Sequence, residues 1–381
     1  MALHSSSRGW KRRLRLPTVS PAVSLRELNR WTLARQMLLE RADVDAITAV
    51  ERLAGMQAQY SPSPYIGLWS RVRGFQRDEL ETALKANLIY KATLMRGTLH
   101  LVSARQFDFF RVASRYPIHP WTDGLTELQA RGVDVAALRE EILVALDERP
   151  LKKPELQQLF RHRIPADMPD WAAFSVVIAV GATMNLHEDA RFGHFAGSRY
   201  RRAPLPTTDP DEAVRLIVAS YLAAFGPATK GDIAQWLGHR MSVFAPALDA
   251  LDLIDLSGED GRKYVDLAGA PRPDPAIAAP VRFLPKWDNL LLAYDRRERV
   301  LPESVRKTVI RKNGDVLPTF LVDGMVAGAW EAPLKGRATM TLTPFAPLPT
   351  RQRRAVEQEA EALLAWLRPD TGKLEMAWKS L

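Results

Sequence analysis

DEAVRLIVASYLAAFG, residues 211–226, opens the stretch on which the fold turns. Its apolar residues recur at helical spacing, and it stops at Gly226 with Pro227 behind it, so it reads as an amphipathic helix with a C-terminal stop. ATKGDIAQWLG (228–238) is a second, shorter helix ended by Gly238. MSVFAPALDALDLI (241–254) is a third, with Pro246 near its first turn or kinking it. LIDLSGEDGRKYVDL (253–267) then reads as strand, glycine-rich turn and strand. Three helices followed by a two-stranded wing is the winged helix-turn-helix plan, whose third helix commonly enters a DNA groove. The same plan also serves as a scaffold for protein contacts.

Weaker versions of this order occur twice upstream. Residues 24–125 carry helices in RELNRWTLARQMLLE, DAITAVERLAG and DELETALKAN, with YIGLWSRV between them and a strand pair in IYKATLMRGTLHLV. Residues 126–208 carry VAALREEILVALDE and KKPELQQLFRH, then the apolar run WAAFSVVIAVGATMN (171–185). HEDARFGHFAGSRYRRAP follows, with Gly193 and Gly197 suited to a wing. The repeated element order predicts three related units, 24–125, 126–208 and 209–270. Beyond the linker PRPDPAIAAP the texture changes: VRFLPKWDNLLLAY, VLPTFLVDGMVAGAW and KGRATMTLTPF read as strands, RQRRAVEQEAEALLAWL as an amphipathic helix and LEMAW as a last strand. The expected fold class is α+β: three tandem winged helix-turn-helix units followed by a C-terminal β-rich, barrel-like domain (271–381) with a flanking helix.

The 381 residues include 53 basic and 44 acidic side chains, a formal charge of +9. Such an excess favours a polyanionic partner, nucleic acid first, although arginine used for solubility would give the same balance. There is no cysteine, which excludes disulfides, thiolate zinc sites and cysteine nucleophiles. No apolar run approaches the roughly 20 residues of a membrane span. A cytoplasmic, nucleoid-associated monomer is therefore expected. Arg8, Lys11, Arg12, Arg13 and Arg15 precede no apolar core, so residues 1–23 read as a disordered basic tail and not a secretory signal. Phosphate-binding glycine loops, GxGxxG, GxSxG and HExxH are all missing from the sequence. His187 and His194, with Glu188 and Asp189 between them, come nearest to a metal cluster. A wing with exposed polar groups is the stronger reading, and neither metal nor cofactor is expected.

Two segments carry candidate chemistry. In GMQAQYSPSPY (55–65), Gly55 is placed to end a helix in a left-handed cap, leaving MQAQY extended. Extended backbone puts Gln57 and Gln59 on one face and Ala58 on the other, while the prolines stiffen the exit. An amide both donates and accepts hydrogen bonds, so the pair could hold a water molecule or merely cap neighbouring backbone. In RGTLHLV (96–102), strand alternation would project Arg96, Thr98 and His100 together as a polar stripe, lining a ligand channel or facing solvent. Lys335 and Arg337 flank Gly336 in APLKGRATM, which reads as a hairpin tip that could reach DNA or simply be solvated.

Taken in order, LNRWTLARQMLL, GMQAQYSPSPYIGLWSR, TLMRGTLHLVSARQF, AFGPATKGDIAQWLG, FLPKWDNLLLAYDRRERVLP and FLVDGMVAGAW resemble the AlkZ/YcaQ winged-helix DNA glycosylases over about residues 24 to 381. The resemblance implies tandem winged helices around a concave basic surface. It also implies a catalytic Gln-x-Gln or Gln-x-Asp motif, matched here by Gln57 and Gln59 of the Gln-x-Gln type. It implies a hydrolase for the N-glycosidic bond of cationic N7-alkylated purines or of interstrand crosslinks in double-stranded DNA, in repair or in self-resistance to an alkylating natural product. With no lysine nucleophile placed at the QAQ corner, it is expected to be monofunctional and to leave an abasic site uncleaved. The residues themselves leave open a second class, a non-catalytic winged-helix regulator of transcription. A regulator would read sequence; a repair enzyme would read damage.

Overall fold

The computed structural model describes residues 22–114, 126–168 and 183–380. The predicted basic tail up to residue 21 and residues 171–182 of the apolar run lie outside them. Ser24 accepts from the Glu27 amide while Glu27 reaches back to the Ser24 amide, a reciprocal cap that starts α1 (Leu25–Arg35). Asp45 caps α2 (Ala46–Arg52) in the same way by accepting from Thr48. The chain then runs through β1 (Met56–Gln57), α3 (Pro62–Arg71), α4 (Arg77–Lys85), β2 (Ile89–Thr93), β3 (Leu99–Ser103) and α5 (Ala104–Ala113). The three strands form an antiparallel sheet in the order β1-β3-β2, with Met56 opposite Leu101 and Gln57 opposite His100.

The next segment holds α6 (Val135–Glu148), β4 (Leu151–Lys152), α7 (Lys153–Phe160), β5 (Thr183–Asn185) and β6 (Arg199–Arg202). Its strands pair antiparallel in the order β4-β6-β5. Leu138, Ile142, Leu156 and Phe160 make a core of its own. From 210 to 267 the elements follow the order read from the sequence: α8 (Pro210–Phe225), α9 (Lys230–Leu237), α10 (Met241–Asp249) and the antiparallel pair β7 (Leu253–Ser257) and β8 (Lys263–Leu267). Pro246 lies inside α10.

The largest core joins distant parts of the chain. Leu33 and Phe110 from the first segment meet Tyr221, Phe225 and Trp236 from α8 and α9, and Leu290, Tyr294 and Leu321 from beyond residue 280. Arg35 of α1 and Asp266 of β8 add a fully buried two-pronged ion pair, at 2.7 and 2.8 Å. With such a core, the groups that face each other across the molecule are held by rigid elements.

The C-terminal part departs from expectation in two places. VRFLPKWDNLLLAY is not one strand: only β9 (Arg282–Leu284) is extended, and α11 (Asn289–Leu292) follows. Pro285 cannot continue the ladder, and the Asp288 side chain accepts from Leu290 N–H to start the helix. After α12 (Glu303–Val309), the strands β10 (Thr319–Val322), β11 (Met325–Glu331), β12 (Thr339–Pro344) and, beyond α13 (Thr350–Leu367), β13 (Glu375–Trp378) extend an open sheet in the order β13-β12-β11-β10-β9. It does not close into a barrel. Val356, Ala360, Leu363 and Leu364 of α13 cover its apolar face with Phe283, Phe320, Trp330 and Met340, so burial is achieved without joining the edges. Among the described residues no helix is long and apolar enough to cross a membrane.

Candidate functional site

The Gln57 corner is built by α2 and its stop. Leu53 ends the helix, Ala54 and Gly55 take left-handed conformations (φ 52° and 80°), and Gly55 N–H returns to Val50 O at 3.0 Å. A side chain at Gly55 would also strike Val102 Cγ1, only 2.8 Å from where its Cβ would stand. Past the glycine, Met56 and Gln57 pair with β3, and Ala58 N–H donates to Leu99 O at 2.7 Å. Only Met56 and Gln57 of the expected extended MQAQY are strand; the chain bends at Gln59 and Tyr60, and Ala58 is buried in the core.

A second layer clamps this corner. Asn289 Nδ2 donates to Gly55 O at 2.9 Å, and Asn289 Oδ1 accepts from Gln57 N–H at 3.2 Å. Its neighbour Asp288 takes both Nη groups of buried Arg71, at 2.8 and 2.9 Å. Arg71 Nη1 also donates to Gly67 O at 3.1 Å within α3. The backbone that carries the glutamines is tied to α11 by the neutral Asn289 amide, and the start of α11 is tied to α3 by the charge-assisted Arg71–Asp288 pair.

Gln57 and Gln59 face one open cleft of about 830 Å³, which Arg96, Thr98, Gln235, His239, Trp287 and Asp295 also line. The Gln59 side chain is exposed and accepts from Leu99 N–H through Oε1 at 3.3 Å. Gln57 is 8% exposed, and its Oε1 is buried without a hydrogen-bond partner among the described residues.

Arg96, Thr98 and His100 do not form the strand stripe expected of them. Met95–Gly97 is a tight turn with Arg96 and Gly97 at φ 57° and 66°, and β3 begins only at Leu99. Arg96 and Thr98 still reach the cleft wall, whereas His100 is fully buried behind Gln57 and does not line it. The Arg96 guanidinium donates through Nη1 to Trp236 O, and its Nη2 is buried without a partner. Burial, with Arg297 nearby, lowers its pKa to about 10. It enters no ion pair among the described residues, which leaves a positive charge on the cleft floor available to an anion. Burial and the Arg96 charge hold the His100 imidazole neutral, with a pKa pulled down to about 3.

The far wall comes from residues the sequence reading did not single out. Gln235 lies on α9, and Trp287 and Asp295 flank α11. Trp287 sits at φ 55°, its indole N–H donates to Gly314 O at 2.9 Å, and Lys286 Nζ stands 4.5 Å from its ring centre. Asp295 is exposed; its backbone N–H is held by Asp232 Oδ1 at 2.9 Å. The signal available was WDN at 287–289, a capping Asp-Asn pair directly after a strand and proline.

Lys335 and Arg337 are exposed at the turn between β11 and β12, with Gly336 at φ 78°, and are not part of the cleft wall. The His187–His194 cluster is tied up internally: Asp189 accepts from Arg199 N–H at 2.6 Å and from its guanidinium at 2.9 Å. Among the described residues no three His, Asp or Glu side chains are grouped to hold a metal ion.

Comparison with known proteins fits this arrangement. Solved structures include the Streptomyces sahachiroi DNA glycosylase AlkZ, which superposes with a TM-score of 0.74 over 94% of this chain and 100% of that one; at 23% identity this speaks for the fold alone. A curated relative from the same organism, the interstrand DNA cross-link repair glycosylase, is 26% identical over 371 residues, spanning 89% of this chain and 95% of its own. Residues 50–366, from the end of α2 to the end of α13, match the family described as DNA glycosylase AlkZ-like. The chain belongs to the AlkZ-like DNA glycosylase family, and is an enzyme that cleaves N-glycosidic bonds in DNA.

Proposed function

We propose that the protein is a monofunctional N-glycosylase that releases cationic N7-alkylated purines from double-stranded DNA, interstrand crosslinks among them. The observation that carries this reading is the placement of two neutral amides, Gln57 and Gln59, on one rigid corner of an open cleft that is also lined by Arg96, which has no acidic partner among the described residues. Alkylation at N7 already makes the base a good leaving group. The enzyme then has to steady a sugar with oxocarbenium character and place a water on its far face. An amide oxygen does both, by accepting from the water and offering partial negative charge to the cation. For an uncharged purine such a pair is too weak, and ordinary nucleotides are spared.

Arg96 suits a phosphate beside the lesion, and Asp295 suits the positive charge of the alkylated base. Among the described residues no lysine lines the cleft, which supports release of the base without a covalent intermediate and so without strand cleavage. A crosslinked base cannot be swung into a deep closed pocket, so an open cleft serves that substrate better. The three segments 24–125, 126–208 and 209–270 are read as winged helix-turn-helix units that lay this cleft on the duplex, with Lys335 and Arg337 reaching it from the hairpin. The enzyme would work as a cytoplasmic, nucleoid-associated monomer. The name of the S. sahachiroi relative, an interstrand DNA cross-link repair glycosylase, favours crosslinks as one substrate. Base release from a duplex with a single N7-methylguanine, run beside a duplex crosslinked through two N7 positions, tests the proposal. Release from both supports it in full; release from neither overturns it.

A further inference from the structure

The pairing of β1 with β3 sets one more side chain against Gln57. Gln57 lies directly opposite His100. Its backbone N–H turns away to Asn289, while the next residue, Ala58, donates to Leu99 O. Gln57 and His100 are thus a pair without mutual backbone hydrogen bonds, the kind whose Cα atoms stand about 4.5 Å apart with side chains closest on a shared face. His100 Nδ1 is 2.9 Å from Thr98 O. A carbonyl only accepts, so the imidazole proton sits on Nδ1 and Nε2 carries a bare lone pair. That Nε2 is buried and receives no hydrogen bond from the described residues, and the same holds for Gln57 Oε1.

Two buried acceptors on one face lack a donor, and the Gln57 amide can supply it. A half-turn about its last torsion exchanges oxygen and nitrogen at almost unchanged positions. In that rotamer the amide N–H would face His100 across the strand pair, and Oε1 would take the position that Gln57 Nε2 now holds. We propose that His100 is a positioning residue that accepts a hydrogen bond from the Gln57 amide and so fixes Gln57 with its carbonyl oxygen facing the substrate. The inference rests on the reading of Gln57 as the group that orients water. An amide free to turn would present its NH₂ as readily as its oxygen. The NH₂ repels an oxocarbenium ion and cannot accept from the attacking water. His100, fully buried and neutral, would touch neither the base nor the sugar.

Single-turnover release of N7-methylguanine separates the possibilities. His100→Leu removes the acceptor and should slow release about ten- to a hundredfold with DNA affinity unchanged, the range for a misplaced reacting group. His100→Gln keeps an acceptor near the Nε2 position and should restore much of the rate. In a Gln57→Ala background, His100→Leu should change the rate less than about twofold, because the amide it positions is gone. Full effects in both backgrounds, or a wild-type rate in a folded His100→Leu protein, would overturn the inference. Undiminished release by Gln57→Ala alone would instead overturn the reading beneath it. Should the His100 substitutions prevent folding, ¹⁵N spectra of the histidines in the unmutated protein and in Gln57→Ala decide. An Nδ1–H tautomer of His100 whose Nε2 resonance moves in Gln57→Ala supports the proposal; an Nε2–H tautomer, or an unmoved resonance, sinks it.

Discussion

Asn289 grips the backbone on both sides of Met56, donating to Gly55 O at 2.9 Å and accepting from Gln57 N–H at 3.2 Å. The two bonds use both ends of one amide, so the glutamine corner cannot shift without losing them together. Asn289→Ala leaves a buried N–H and a buried C=O unpaired. It should cost about 1–3 kcal/mol of stability for each group left unpaired and slow base release at least tenfold through misplacement of Gln57. Urea unfolding and single-turnover kinetics on one preparation check both numbers. A destabilised protein with an unchanged rate would mean that Gln57 is held by other contacts.

Gln57→Ala and Gln59→Ala should each lower the rate of base release about 10²- to 10³-fold, the usual cost of losing one oriented polar group at a reacting centre. Affinity for the same duplex should stay within about twofold, since neither amide carries charge to a phosphate. The double variant should be little worse than the poorer single one if the two share one water. Wild-type rates in the double variant would remove the chemistry from this corner.

The Arg71–Asp288 pair is buried on both sides, at 2% and 3% side-chain exposure. Removing Asp288 strands a guanidinium with only Gly67 O and a long contact to Gln36 Oε1 left to it. Asp288→Ala should therefore cost about 3–5 kcal/mol, besides losing the cap of α11. Replacing both partners, Arg71→Met with Asp288→Leu, should recover part of that loss, because no unpaired charge remains. Denaturant midpoints of the two variants and the unmutated protein measure it. Equal loss in the single and double variants would show that the helix cap, not the stranded charge, accounts for the cost.

What was legible in the sequence was local. The Gly55 stop and the short strand Met56–Gln57 follow from a helix reaching a glycine, and the 210–267 elements follow from periodicity and turn residues. Arg96 was misplaced because strand alternation is uninformative across a left-handed turn, and Arg-Gly in a run of strand formers looks continuous. The closure of the C-terminal sheet could not be read from strand count, since it depends on α13 lying across the sheet. The far wall of the cleft was hidden for another reason. Gln235, Trp287 and Asp295 lie some 180 to 240 residues from Gln57, and only the packed core brings them together.

His100 carries a pH signature. Its folded pKa, about 3, lies below the ordinary histidine value of 6.5, so the unfolded chain binds its proton first as the solution is acidified. The contribution is fully present above pH 6.5 and is lost as pH falls towards 3, at up to about 1.4 kcal/mol per pH unit. Stability measured by urea between pH 8 and 4 should fall in this way, and His100→Gln should flatten the slope by up to one proton. Base release itself should show no His100 ionisation between pH 8 and 5. A titration near pH 6 in the rate, removed by His100→Gln, would contradict a neutral buried ring.

Arg96 differs from the hairpin cations in where its charge acts. It lines the cleft and has no acidic partner among the described residues, so a single phosphate beside the lesion is its natural counter-ion. Arg96→Met keeps the packing of the stem and removes the charge. The slope of log affinity against log salt should fall by about 0.9, one phosphate contact on B-DNA, with the loss equal on damaged and undamaged duplexes. Lys335→Ala with Arg337→Ala should lower the slope by up to twice that amount if both exposed side chains reach the backbone. Shuffling the sequence around the lesion should alter affinity little, because contacts to phosphate carry no base information. A strong preference for one undamaged sequence, about a thousandfold over random duplex, would mean that base edges are read directly. The cleft would then serve a sequence reader, and Arg96→Met would weaken that one sequence more than the others.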